Sequence, residues 1–136
     1  MKFSDISAEE WKELQPYLDT CLLPVTGLTG REQPWETTEA LEDLRDWMDM
    51  VEIPFRGRVV TYPAMHYAGG EDGVNEVCRQ LKNAGFRYVI LISSRLELNG
   101  ESFPEADLAI SPTSESEPGG KPRAADISRM VQELWR

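Results

Sequence analysis

The sequence predicts a small doubly wound α/β fold, of the Rossmann or flavodoxin kind, with a mainly parallel sheet of about four strands flanked by helices. Three observations lead there. Short runs rich in Val, Ile and Leu stand at Thr20–Val25, Arg58–Tyr62, Arg87–Ser93 and Asp107–Ser111. The first and third are continuously apolar rather than alternating, as in strands covered on both faces. Amphipathic helical stretches separate most of them, and strands alternating with helices build parallel sheets. The chain, 136 residues long, suits one domain and can bury a core without metals or disulfides.

The elements follow in order. Ser7-Ala8-Glu9-Glu10 is a capping box, with Ser at N-cap and Glu three residues on, so a helix begins there. Trp11, Leu14 and Leu18 continue at helical spacing, and Pro16 ends or kinks the helix. Thr20–Val25 is a buried strand, closed by a loop containing Gly27, Gly30 and Pro34. Glu36–Glu52 gives the clearest pattern: Ala40, Leu41, Leu44, Trp47, Met48 and Val51 line one helix face, and Pro54 ends it. The opposite face is acidic, with Glu39, Glu42, Asp43, Asp46 and Asp49 against Arg45 alone.

Arg58–Tyr62 is the second strand. A glycine-rich loop leads to a third helix with Asp72 as N-cap, Val74, Val77, Cys78 and Leu81 buried, and Gly85 as the left-handed residue after its end. Arg87–Ser93 is the strongest strand and is expected at the sheet centre. Asp107–Ser111 is a shorter fourth strand. Residues 111–122 form a polar Pro/Gly-rich loop, expected to be mobile within a single 1–136 domain. Pro122 opens the last helix, whose buried side is Ile127, Met130, Val131, Leu134 and Trp135. The expected strand order is 2-1-3-4. Trp11, Trp47 and Trp135 fall on apolar helix faces; Trp35 falls in a loop and either covers the sheet edge or marks a contact surface.

Charge and composition exclude several functions. A net charge of −10 disfavours nucleic acid and anionic membranes, which need clustered Lys and Arg. No apolar run approaches the ~18 residues of a membrane span, and MKFSDISAEE does not read as a secretory signal. A cytoplasmic location is expected. Cys21 and Cys78 form no CxxC pair and read as reduced, buried thiols. With one histidine, His66, there is no zinc signature and no metal or cofactor is expected.

Candidate chemistry gathers where the fold class places ligands, beyond the carboxyl ends of the strands. Those ends offer Pro24, Thr26 and Gly27; Tyr62, Pro63 and His66; Ser93, Ser94 and Arg95; and Ser111, Thr113 and Ser114. A ligand site there would use Tyr62, His66, Ser93, Ser94, Arg95 and Ser111. Ser93 or Ser94 with His66 and Asp72 supply the residue types of a serine triad, but the G-x-S-x-G elbow is absent. Gly69-Gly70-Glu71-Asp72-Gly73 precedes a helix, yet two carboxylates stand where a phosphate would go. Gly119-Gly120-Lys121 is followed by Pro122 and fails the P-loop pattern. The aspartates of a receiver-type phosphoacceptor site are also missing from the strand ends. Glu39, Glu42, Asp43, Asp46 and Asp49 are a candidate partner-binding face. Arg56 and Arg58, rare cations in an acidic chain, either meet a carboxylate of a ligand or pair with nearby acids such as Asp19.

Two stretches carry a resemblance. YLDTCLLPVTGL (17–28), with Tyr17, Asp19-Thr20 and Pro24, and FRGRVVTYPAMHY (55–67), with Arg56-Gly57-Arg58, Pro63 and Tyr67, resemble the YpiF-like family of small uncharacterised proteins from Bacillus and related Firmicutes. Its members are often encoded beside menaquinol–cytochrome c reductase genes, so the resemblance implies a link to respiratory-complex biogenesis. It implies no catalytic residues. The resulting expectation is an uncharacterised interaction or regulatory module that leans away from catalysis and has an unknown protein partner, as monomer or homodimer. The alternative is a small-molecule-binding protein or enzyme at the strand C-terminal edge.

Overall fold

The computed structural model describes residues 1–66, 70–112 and 122–136. A 3-10 turn, Phe3–Asp5, precedes α1 (Ala8–Leu14), β1 (Thr20–Pro24), α2 (Pro34–Glu52), β2 (Val59–Thr61), α3 (Gly70–Asn83), β3 (Tyr88–Ile92), β4 (Leu108–Ile110) and α4 (Ala124–Leu134). The four strands form one all-parallel sheet in the order β2-β1-β3-β4, as expected. β1 and β3 are central, and their ladder runs from Thr20 opposite Tyr88 to Pro24 opposite Ile92. The mobility expected of 111–122 concerns a stretch of which 113–121, with Thr113 and Ser114, lie outside the described residues, as does Tyr67.

The two-residue period of a strand divides the core in two. Cys21, Leu23, Val60, Val89 and Leu91 face α3, where Val74, Cys78 and Leu81 meet them, with Trp11 and Leu14 of α1 alongside. Leu22, Val59, Ile90, Ile92 and Ile110 face α2 and α4, where Trp47, Val51, Ile127 and Val131 are buried. Each such fully buried side chain contributes about 1.5–3 kcal/mol, which is what holds the helices to the sheet.

Local chemistry sets the helix ends. The capping box of α1 is formed: Glu10 N–H donates to Ser7 Oγ at 3.2 Å, and Ser7 N–H donates to Glu10 Oε1 at 3.3 Å. α2 begins two residues earlier than the apolar pattern implies. Pro34 occupies the first turn, where its missing N–H costs nothing, and Glu36 closes back on the Gln33 N–H at 3.1 Å. Trp35 is therefore helical, not in a loop. α3 also begins early, at Gly70, so Asp72 lies in its first turn rather than at the N-cap. α4 begins at Ala124 with Arg123 as N-cap, so Pro122 precedes the helix instead of opening it. The buried stripe of α2 is narrower than predicted: Ala40, Leu44, Trp47 and Val51 are buried, Met48 is half-buried and Leu41 is 44% exposed. At about 100° per residue, Leu41 falls at the margin of the stripe. Gly85 has φ 121°, as its place after α3 requires.

At the amino ends of the strands, Arg58 makes a two-point ion pair with Asp19, Nε to Oδ1 at 2.9 Å and the second guanidinium nitrogen to Oδ2 at 3.1 Å. The same guanidinium lies 3.9 Å from the Trp135 ring centroid. Trp135 Nε1 donates to Thr20 Oγ1, which donates to Asp19 Oδ1, both at 2.9 Å. Arg58 thus pairs with Asp19, one of the acids considered for it, while Arg56 is exposed.

Candidate functional site

Between β1 and β3 the chain departs in opposite directions. After β1 it enters α2 on one face; after β3 it runs under the other face, where Leu98 and Phe103 are buried. That divergence is the topological switch point, where such sheets open a crevice. Here the two loops fill it. Gly27 has φ 75°, and a Cβ on it would meet Leu96 Cγ at 3.0 Å. Ser93 is fully buried, and its Oγ accepts the N–H of Arg95 at 3.3 Å and of Leu96 at 3.1 Å. Ser111 Oγ accepts the Leu98 N–H at 2.8 Å. These hydroxyls hold the β3–β4 connection in shape. The loop after β1 is held by Glu32, whose carboxylate accepts the N–H groups of Thr29 and Gly30 at 2.9 and 3.0 Å. Those donors, Thr29 first, pull the Glu32 pKa down to about 2.

Past the strands, β1 and β2 keep pairing through a bridge between Val25 and Met65. From Leu22–Thr61 to Val25–Met65 the first chain advances three residues and the second four, so one extra residue bulges within 62–64. The bulge carries His66 to Thr26, with Nδ1 2.8 Å from Oγ1. Thr26 Oγ1 already accepts the Leu28 N–H at 3.2 Å. The neutral tautomer with its proton on Nε2 satisfies every partner, the hydroxyl donating to Nδ1. The imidazole is exposed. Among the described residues no hydrogen bond joins it to Ser93, Ser94 or Arg95, because the bulge commits it to Thr26 and Ser93 is turned into its own loop. Ser94 is half-buried and Arg95 exposed. The predicted site residues share one edge of the sheet without converging.

Two cavities flank Phe3 instead. One, of about 300 Å³, lies beside the bulge among Phe3, Pro24, Met48, Thr61, Tyr62 and Ala64. The other, of about 340 Å³, lies on the opposite side among Ile6, Trp11, Val60, Ala84 and Phe86. Sequence reasoning missed the contribution of residues 1–6. Lys2 bridges to Thr61, whose N–H donates to the Met1 carbonyl at 2.8 Å, and Phe3 packs edge-on against Tyr62 at 5.1 Å between centroids. The apolar pair Phe3 and Ile6, two of the side chains now packed on the core, was the available signal.

The outer face of α2 is the other candidate. Trp35, Glu39, Glu42, Asp46 and Asp49 recur at steps of four, three, four and three, one stripe along the helix. Trp35 is 68% exposed at its head. α2 holds seven acids against Arg45, a net −6 of the chain's −10. Glu39, Glu42 and Asp43 are exposed; Asp46 and Asp49 are half-buried.

The remaining reactive groups are quiet. Cys21 and Cys78 are free and buried, and desolvation pushes their pKa values up to about 12 and about 11. Both are protonated at neutral pH and are neither nucleophiles nor metal ligands there. Among the described residues no group of three or more His, Cys, Asp or Glu is placed to hold a metal ion. No described helix is long and apolar enough to cross a membrane.

No curated protein and no solved structure matches the chain. A family model does, over residues 9–107, from α1 to the turn before β4. That span contains the acidic stripe, the bulge, His66 and Ser93. The chain belongs to the family of uncharacterised proteins described as "Protein of unknown function (DUF2487)".

Proposed function

We propose that the protein is a non-catalytic interaction module that docks a Lys/Arg-rich segment of a partner protein on the outer face of α2. The carrying observation is Trp35, 68% exposed at the head of the acidic stripe. A tryptophan flanked by carboxylates suits a basic segment in two ways: the acids steer cations to the face, and the indole stacks on a guanidinium or an alkyl stem. The dispersal of the strand-edge residues also supports a non-catalytic role, since a general base needs its partner within hydrogen-bond reach. We place this module in the cytoplasm, as monomer or homodimer; the YpiF-like resemblance supports a link to respiratory-complex biogenesis.

The test is affinity capture with the wild type, Trp35→Ala, and Glu39→Lys/Glu42→Lys. A protein retained by the wild type, cross-linked from position 35 to a Lys/Arg-rich stretch, and lost from both variants supports the reading. A buried tryptophan hot spot predicts at least about 30-fold weaker binding for Trp35→Ala. Equal retention by all three, or no retention by the wild type, overturns it. A second reading keeps a small molecule at the strand C-terminal edge, with Tyr62, His66, Ser93, Ser94, Arg95 and Ser111 as its polar groups; the cavity touching Tyr62 favours it.

A further inference from the structure

The cavity beside the bulge has a feature that its neighbour lacks. Thr61 lies in its wall and is only 3% exposed, yet Thr61 Oγ1 has no hydrogen-bond partner among the described residues. A buried hydroxyl without a partner costs about 1–3 kcal/mol, so sites that keep one generally have something for it to bond. Of the other strand side chains on this face, Leu22, Val59, Ile90 and Ile92 are apolar, and the one threonine among them, Thr20, has its hydroxyl bonded to Trp135 and Asp19. Valine would fill the Thr61 position with the same shape and no such cost.

The surroundings define what fits. Phe3, Pro24, Met48, Pro63 and Ala64 make the wall largely apolar, and Ser4 and Tyr62 complete it. Lys2 stands at the rim with its Nζ held by Glu52 at 3.0 Å, and the same carboxylate lies 3.7 Å from the Met1 amino group. The site therefore combines a largely apolar wall with the hydroxyl residues Thr61, Ser4 and Tyr62, of which Thr61 carries the buried oxygen without a partner among the described residues. A volume of about 300 Å³ is at the small end for ligand pockets. The position agrees with the fold: the chamber opens beyond the carboxyl ends of β1 and β2, one strand away from the switch point its own loops have closed.

We infer that this cavity binds a small uncharged molecule, ring-sized and mainly apolar, through one hydroxyl or carbonyl oxygen hydrogen-bonded to Thr61 Oγ1. The inference is independent of the α2 docking surface. The bulge is part of the site, because the extra residue swings Pro63 and Ala64 aside from the ladder and leaves the chamber open between β2 and Met48.

Phenol and toluene are the probes, nearly equal in shape and differing in the hydroxyl. Each is titrated into ¹⁵N-labelled protein while the amide signals of residues 61–65 and of Met48 are followed. The inference expects phenol to shift those amides at millimolar concentration and to bind more tightly than toluene. Thr61→Val should weaken phenol about 5-fold and leave toluene unchanged, the loss expected for one net hydrogen bond. Ala64→Trp, at an exposed position on the chamber wall, should abolish both. The inference is overturned if phenol moves none of these amides, if Thr61→Val leaves the phenol preference intact, or if Ala64→Trp binds phenol as the wild type does.

Discussion

Replacing Arg58 with methionine removes the charge that ties three separate parts of the chain together while keeping most of the side-chain stem. In the native protein the guanidinium makes two hydrogen bonds to Asp19, at 2.9 and 3.1 Å, and lies 3.9 Å from the centroid of Trp135. The Arg58 and Asp19 side chains are 37% and 25% exposed, so solvent screens the pair. A two-point pair in that setting contributes about 1 kcal/mol. The stack on indole adds roughly 0.7 kcal/mol. Arg58→Met should therefore cost about 1.7 kcal/mol. At about 2.1 cal/mol/K of unfolding entropy per residue, that is a fall of about 6 °C in Tm for a domain this size. The assay is thermal and urea unfolding of Arg58→Met, Asp19→Asn and the double variant. The single losses should exceed the double loss by a coupling of about 1 kcal/mol, the part that belongs to the pair. A coupling near zero, or an Arg58→Met loss below about 0.5 kcal/mol, refutes the reasoning: the ion pair would then be a surface bystander, with α4 held by its apolar face alone.

Three further outcomes are expected. Gly27→Ala should destabilise by about 1–2 kcal/mol, measured by urea unfolding, because the new Cβ needs φ 75° and meets Leu96 at 3.0 Å. Ser7→Ala should cost about 1 kcal/mol in the same assay by breaking the α1 capping box. Cys21 and Cys78 have folded pKa values raised from 9.0 to about 12 and about 11. Above pH 9 the unfolded chain releases their protons and the folded chain does not, so stability should fall as pH rises from about 9 to 12. Unfolding followed across that range, against Cys21→Ala/Cys78→Ala, isolates the effect, and native thiols should resist alkylation at pH 8.

Much of the fold was legible because its signals are local. The continuous runs at 20–25 and 87–93 gave the central strands, while right-handed crossovers narrow the strand order without fixing it, and 2-1-3-4 is the one of those orders that the structure adopts. The S-x-x-E box gave the start of α1 to the residue. What was not legible is of two kinds. Proline and glutamine at 33–34 hid the true start of α2, since neither is apolar and Gln33 is a weak N-cap; this misplaced Trp35, the residue on which the docking surface turns. The candidate site is a different case. Tyr62, His66, Ser93, Ser94, Arg95 and Ser111 do lie at the carboxyl edge, because strand direction places them there. Whether they face one another depends on a one-residue bulge and on loop hydroxyls choosing backbone partners, neither of which leaves a periodic trace. Thr61 was illegible for a related reason: among valines, a β-branched threonine reads as one more strand residue, and only the assembled structure shows its hydroxyl without a partner.

The position of the chamber has a mechanical reason. In an open parallel sheet the switch point stays open when the loops on its two sides are short and diverge. Here they are not: the β3–β4 connection runs from Ser93 to Asp107, and Leu96 is pressed on Gly27. The space that the switch point loses reappears one strand outward. β2 is short, its partner residues end at Thr61, and the bulge then separates the chain from β1 until Met65 rejoins it. Residues 1–6 cover the resulting gap from the side, with Lys2 pairing beside Thr61 as a strand would. The roof of the chamber is thus a segment anchored by the Lys2–Glu52 ion pair, a few backbone bonds and Phe3, far less than any strand of the sheet. Glu52→Gln, which weakens that anchor at the end of α2, should speed amide exchange at Thr61, whose N–H donates to Met1, while leaving exchange in β3 unchanged. Equal acceleration in β3 would mean that the roof opens only with the whole sheet, and that entry to the chamber is tied to global unfolding rather than to a local opening.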